Sequence, residues 1–225
     1  MKKSIKKNTV NKIVTLAQFE RRTGIKFNKN MTGKMQDIIC LSSSNLCNPF
    51  CAARKNNPDM ICSKCFADGT CSRYRALREN MERNTEILTS TLFEVEEWPV
   101  LNVQIFRLES FGDLISCTQA RNYLRFCKAN PSVRFALWTK NPGILAQAVA
   151  IEGKPANLVV FLSSALLDKR CDASRWDFVD KTFTVYRPET VDALGIDINC
   201  GARNCLTCQR CYRLDTESDI RELLK

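Results

Sequence analysis

The sequence predicts an α/β fold, a partial (β/α) barrel or open parallel sheet carrying two Cys-rich metal-binding loops. Three observations lead there. From residue 100 onward, apolar or β-branched runs alternate with helical stretches; eight of the thirteen cysteines fall into two tight groups; and the 225 residues contain no histidine. Strands separated by connections long enough for a crossover helix run parallel, as βαβ units do. A chain of this length can bury a full core in one domain.

The first segment, residues 1–35, reads as a basic N-terminal arm. It holds ten Lys/Arg against one acid, Glu20, and so carries nine of the ten net positive charges. That density suits phosphate contacts, so nucleic acid is the expected partner; a solubilising tail is the bland alternative. Residues 36–225 then form the α/β metal-binding domain. Its first strand is the short apolar run Met35–Ser42, which ends in the turn Ser42-Ser43-Ser44. A Cys-bearing loop follows, and after it a helix from roughly Ser72 to Phe93, with Tyr74, Leu77, Met81, Ile87 and Leu88 as its apolar members.

Further strands are expected at Val100–Leu108, Val133–Trp138, Leu158–Leu162 and Thr182–Tyr186, with a short one near Ile196–Asn199. Two intervening helices fall at Thr118–Lys128 and Pro142–Ile151. Five or six parallel strands are too few for a closed eight-stranded barrel. No apolar run approaches the roughly 18 residues of a membrane helix, and the basic start lacks a secretory pattern. A protein of the host cytoplasm is expected, with no membrane partner. In that reducing setting clustered cysteines read as metal ligands rather than disulfides.

The first group is Cys47-x3-Cys51-x10-Cys62-x2-Cys65 and the second Cys200-x4-Cys205-x2-Cys208-x2-Cys211. Such spacings bring several soft thiolates together, and without histidine any zinc site must be all-thiolate or borrow a carboxylate. The Cys-x2-Cys-x2-Cys run of the second group matches cluster-binding runs, with Cys200 as fourth ligand. One or two [4Fe–4S] clusters are therefore expected, with zinc as the substitute. In the first group Cys47 and Cys51 have the spacing of enzymes that cleave S-adenosylmethionine, but Arg54 stands where their third cysteine would be. Cys62 or Cys65 would have to supply it, and ligation by all four would exclude that cofactor. Cys40, Cys71, Cys117, Cys127 and Cys171 are isolated and read as small buried hydrophobes, Cys71 doubling as a substitute ligand.

In parallel sheets ligand-binding and catalytic groups collect at the C-terminal strand edge. The expected strand ends put Cys47, Glu109-Ser110, Gly112-Asp113, Thr139-Lys140, Ser163-Ser164, Arg187 and Cys200 at one rim. Asp113 and Lys140 are the candidate catalytic or substrate-positioning pair. Against this, Asp113 could be a helix N-terminal charge and Lys140 a solvated strand-end charge.

Four stretches also carry a resemblance: Cys62-Ser-Lys-Cys65-Phe-Ala, Leu108-Glu-Ser-Phe-Gly-Asp-Leu114, Phe135-Ala-Leu-Trp-Thr-Lys-Asn-Pro142 and the terminal cysteines followed by Tyr212. Over roughly residues 38–213 they resemble the phage gene product 88 domain family. The Gly-Asp and Thr-Lys-x-Pro steps also resemble a second phage family, distantly similar to radical S-adenosylmethionine barrels. The resemblance implies a phage or mobile-element origin and a metal-dependent α/β fold. It implies no particular reaction. Two functions follow as expectations. One is a metal-cluster protein acting on or bound to nucleic acid, with redox or radical chemistry; the other is a non-enzymatic zinc-stabilised protein that binds nucleic acid or a host protein.

Overall fold

Six strands of the computed structural model, which describes residues 14–224, form one parallel sheet in strict chain order. They are β1 (Cys40–Leu41), β2 (Ile105–Leu108), β3 (Arg134–Thr139), β4 (Leu158–Ser163), β5 (Lys181–Tyr186) and β6 (Asp219–Leu223), each paired only with its neighbours in sequence. The sheet is open, since β1 and β6 do not pair.

Alternation along the strands decides what each face meets. Phe106 and Leu108 of β2, Phe135 and Leu137 of β3, and Leu158 and Val160 of β4 join one core cluster. Helices pack on that face: α1 (Leu16–Thr23), α4 (Arg75–Ser90), α5 (Cys117–Ala129) and α6 (Pro142–Glu152) contribute Phe19, Leu88, Phe126 and Leu145. Ile105, Ala136, Trp138, Val159, Phe161 and Ile220 point the other way, into a second cluster closed by Tyr212 and by Cys200, Cys205 and Cys211. Among the described residues no long helix covers this inner face. It is roofed by the segment before β6, which contains the four-residue α8 (Cys205–Cys208).

Both sheet edges are blunted. Asn28 exchanges backbone hydrogen bonds of 2.9 and 3.0 Å with Cys40 along the free edge of β1. On β6 the Asn199 side chain imitates a strand, its Oδ1 accepting from Arg221 N at 2.8 Å and its Nδ2 donating to Asp219 O at 2.9 Å. Lys34 Nζ then reaches Glu222 Oε1 at 2.9 Å, so an ion pair links the segment before β1 to β6 where backbone pairing does not.

The expected strands from residue 100 to 186 and the two crossover helices are present, with ends moved by a few residues. Three expectations change. The run near Ile196–Asn199 is coil, because Asn199 spends its amide on the β6 edge rather than its backbone in a ladder. The sixth strand is instead Asp219–Leu223, whose charged residues hid it: Ile220 is its one fully buried side chain, while Arg221 and Glu222 pair with Asp197 and Lys34. The expected Ser72–Phe93 helix is two, α3 (Phe66–Arg73) and α4, broken at Tyr74, whose backbone is extended (φ −115°, ψ 91°).

Part of the basic segment is built into the domain. Helix α1 starts with a reciprocal capping box between Thr15 and Gln18 and ends at Gly24, whose φ of 84° suits glycine. Phe19 is fully buried against Trp98, with ring centroids 4.9 Å apart, and Ile25 and Phe27 are buried beside it. Of the five basic residues here, Arg22 pairs with Glu97, Lys29 with Glu20 and Lys34 with Glu222. Lys2, Lys3, Lys6, Lys7 and Lys12 lie outside the described residues.

The helix-side core centres on Phe126, which stacks on Trp98 at 4.7 Å and meets Phe27, Phe106 and Phe135 within 6 Å. Phe126→Ala is expected to lower unfolding free energy by about 3–5 kcal/mol, read from the urea midpoint.

Candidate functional site

The C-terminal strand ends form a mouth, and the loop bearing the first cysteine group spans it. From β1 the chain runs through the buried Ser42–Asn45 into α2 (Pro49–Ala52), with Asn48 capping the helix through Phe50 N. It then crosses to the far side. Ile61 N donates to Ala165 O at 3.0 Å, Leu167 N to Asp59 O at 2.9 Å, and Met60 bridges Leu166. Arg187 secures that crossing through Asp168 and Asp59, which makes this strand-end arginine a fastener.

Under the loop lies a buried carboxylate, Glu109, at the end of β2. Its Oε1 accepts from Gln119 Nε2 at 2.6 Å and from the Tyr123 hydroxyl, and its Oε2 from Ser43 N and Ser43 Oγ, both at 3.1 Å. Burial pushes its pKa up to about 7, against the donors from Tyr123 and Ser43, which act to lower it. Its backbone is left-handed at φ 53°. The turn that follows admits no side chain at Gly112: a Cβ there would sit 2.5 Å from Ser43 Oγ and 2.7 Å from both Glu109 Oε2 and Ser43 O.

Asp113 is fixed at both oxygens. Oδ1 accepts from Thr139 Oγ1 at 2.6 Å and Leu114 N at 2.8 Å, and Oδ2 from Lys140 N at 2.9 Å. It straps the end of β2 to the end of β3, and in doing so places Lys140 at the mouth. The Lys140 ammonium has no hydrogen-bond or ion-pair partner among the described residues.

Cys51, Cys62, Cys65, Asp113 and Lys140 line one cavity of about 470 Å³. Burial pushes the Cys51 thiol up to about 12, with the Asp113 carboxylate adding to the rise and the Lys140 ammonium opposing it. Burial raises Cys62 as well, again opposed by Lys140. Cys47 is exposed and does not line that cavity.

The second group lies elsewhere than expected. It follows α7 (Pro188–Leu194) and precedes β6, so it belongs to a helix-to-strand connection rather than to a strand's C-terminal end. Gln209 holds it to Gln104 ahead of β2 and to Arg134 at the start of β3. Lys181, the first residue of β5, donates to Arg210 O, Thr216 Oγ1 and Glu217 O. The segment thus crosses the inner face from the N-terminal strand ends. Cys200, Cys205, Cys208 and Cys211 line a groove of about 280 Å³ on that face, whose wall shares Phe111, Gly112 and Lys140 with the mouth cavity. The two groups therefore flank one continuous depression from opposite ends.

Burial raises Cys200 and Cys205, and pushes Cys211 up to about 12, with Arg107 opposing the rise at Cys205 and Cys211. Lys34 touches Cys200 twice, at its carbonyl (3.0 Å) and its Sγ (3.7 Å). In donor type and vicinity the thiols fit a soft metal. As the side chains stand, no three among the described residues converge as ligands of one ion.

Sequence reading missed Arg107 and Trp138. The available signal was period two: Arg107 is a charge at an inward position of a strand buried on both faces.

The gene product 88 family matches residues 3–219, which takes in both cysteine groups and most of the basic segment. The chain belongs to the gene product 88 family. This bacteriophage family match starts well before residue 38, where the motif resemblance began, in keeping with the burial of Phe19 and Ile25 in the domain. Neither a curated protein nor a solved structure matches the chain. The second resemblance, to radical S-adenosylmethionine barrels, gains no support from these comparisons. Among the described residues of this family member, no helix is long and apolar enough to cross a membrane.

Two outcomes are expected at the β2 turn. Gly112→Ala should cost about 1–3 kcal/mol or more in a urea titration, because two of its three clashes are with the buried Ser43–Glu109 network and the third is with a backbone oxygen. Glu109 holds its proton to about pH 7, whereas an unfolded carboxyl releases it near 4.5. The folded state thus binds more protons between those values, and this group's contribution to stability falls as pH rises through that window. Glu109→Gln should remove that slope from midpoints measured at intervals from pH 4.5 to 7.5.

Proposed function

We propose that this chain is a phage metal-cluster protein, holding one or two [4Fe–4S] centres on its thiols, that acts on or is bound to nucleic acid. The carrying observation is where the sulfur lies: Cys51, Cys62 and Cys65 share the mouth cavity with Lys140, and the second group lines the groove that adjoins it. With no imidazole in the chain, sulfur is the dominant donor available, and such donors suit iron–sulfur clusters or all-thiolate zinc. The raised thiols of Cys51 and Cys211 are neutral without metal, and ligation would exchange their protons for the ion.

When bound, an iron–sulfur centre supplies one-electron transfer. The chain's own residues set its surroundings. Lys140 places a positive charge beside Cys51 and Cys62, and Arg107 does so beside Cys205 and Cys211, offsetting the charge of ligating thiolates. Asp113 holds the loop that positions Lys140, a role consistent with its three donors and distinct from that of a free base. Three ligands at the mouth, with Cys47 outside, would leave room for a small molecule at the metal, the condition for S-adenosylmethionine as cofactor. Nucleic-acid contact falls to the five lysines of residues 1–12, since three of the later basic residues are already paired.

Anaerobically purified protein is expected to be brown and to contain iron and sulfide. Cys51→Ala and Cys211→Ala should each lower the iron content. A colourless protein with stoichiometric zinc would replace this reading by the zinc-stabilised binding protein. Deleting residues 1–13 should weaken duplex DNA binding and flatten its dependence of log affinity on log salt by about four to five units; an unchanged slope would end the arm's role.

A further inference from the structure

Among the described residues, one guanidinium in the groove has no hydrogen-bond acceptor or carboxylate partner. Arg107 projects from β2 onto the inner face with its guanidinium carbon 3.3 Å from the Trp138 ring centre, and Trp138 stacks on Phe161 at 4.4 Å and 3°. Among the described residues Arg107 makes no ion pair and no side-chain hydrogen bond, and its Nε is shut off from solvent without an acceptor. Arg121, Arg125, Arg187, Arg210 and Arg221, which are also partly buried, all have carboxylate partners. The contact with Trp138 compensates only part of the desolvation of the charge.

Further unmatched groups line the same cavity, among them the Tyr212 hydroxyl, which is buried without a partner. The Lys140 ammonium and the Ser163 hydroxyl line it, and neither has a side-chain hydrogen-bond partner among the described residues. The acids on its wall are otherwise engaged: Glu109 by Ser43, Gln119 and Tyr123, and Glu222 by Lys34. Among the described residues the groove therefore offers cationic and hydroxyl donors with no free carboxylate to match them. Its volume of about 280 Å³ admits a small molecule.

We infer that this groove is a binding site for a small oxyanion-bearing molecule, its carboxylate or phosphate group held by Arg107 with Lys140 and Ser163 as further donors. The planar fork of Arg107 suits two-point contact with such a group. The stack on Trp138 and Phe161 holds the fork in place before the ligand arrives. This site stands on the unpaired donors and not on the metal reading.

The test uses the full chain as purified, with metal content measured on each sample. Pyrophosphate and citrate serve as the phosphate and carboxylate probes, titrated calorimetrically at constant ionic strength. Saturable binding of at least one probe, one per chain, is expected. Arg107→Gln should weaken it by about tenfold or more, and Arg107→Lys by less. Lys140→Gln, at the partly exposed mouth, should weaken it severalfold and guards against a folding defect at position 107. Probe affinity is compared between samples of matched metal content, so that an effect on metal is read separately from an effect on the probe. Failure of both probes to bind at millimolar concentration would overturn the inference, as would unchanged affinity in Arg107→Gln. Loss of metal in Arg107→Gln with probe affinity intact would also overturn it, making Arg107 the counter-charge of a thiolate centre.

Discussion

A parallel sheet whose strands follow chain order places its crossover helices on one face, and the other face must be covered by something else. That constraint organises this molecule. The helix side is an ordinary aromatic and aliphatic core around Phe126 and Trp98. The inner side is roofed by coil, and the roof is the second cysteine segment, pinned through Gln209, Lys181 and Asn199 to the strand starts and the β6 edge. Chemistry-bearing residues thus sit over the inner face because, among the described residues, no long helix covers it.

The mouth follows a related logic at the other end. Parallel strand ends leave carbonyls and loops converging, and here two carboxylates of the loop after β2 tie them together. Glu109 gathers Ser43, Gln119 and Tyr123, while Asp113 gathers Thr139 and Lys140 N. Gly112 between them is required by space alone. With both acids held inside the scaffold, the groups left facing the depression are thiols and cations. Electrostatically, that is a site prepared for negative charge, whether from ligating thiolates or from a bound oxyanion.

The basic segment divides in two. From Thr15 to Lys34 its apolar residues enter the core and several of its cations are neutralised by Glu20, Glu97 and Glu222. A charge count along the sequence cannot separate paired cations from free ones, since the pairing acids lie as far as residue 222. The Lys34–Glu222 contact also shows why an open sheet keeps a defined groove: it joins the two edges across the gap that backbone pairing leaves.

Local pattern determined much of this protein. Runs of β-branched and aromatic residues marked β3, β4 and β5, crossover spacing made them parallel, and Cys spacing singled out both thiol groups. Tertiary structure decided the rest. Strand β6 was invisible because its charges are matched by Lys34 and Asp197 from other parts of the chain, and the second thiol group changed ends because Asn199 docks on β6 instead of forming a strand. Asp113 proved to be a strap only once Thr139 and Lys140 were beside it, and Arg107 became the unmatched charge only once the inner face had a roof. Each of those facts depends on which donor meets which acceptor across many residues, and short-range periodicity carries no record of such meetings.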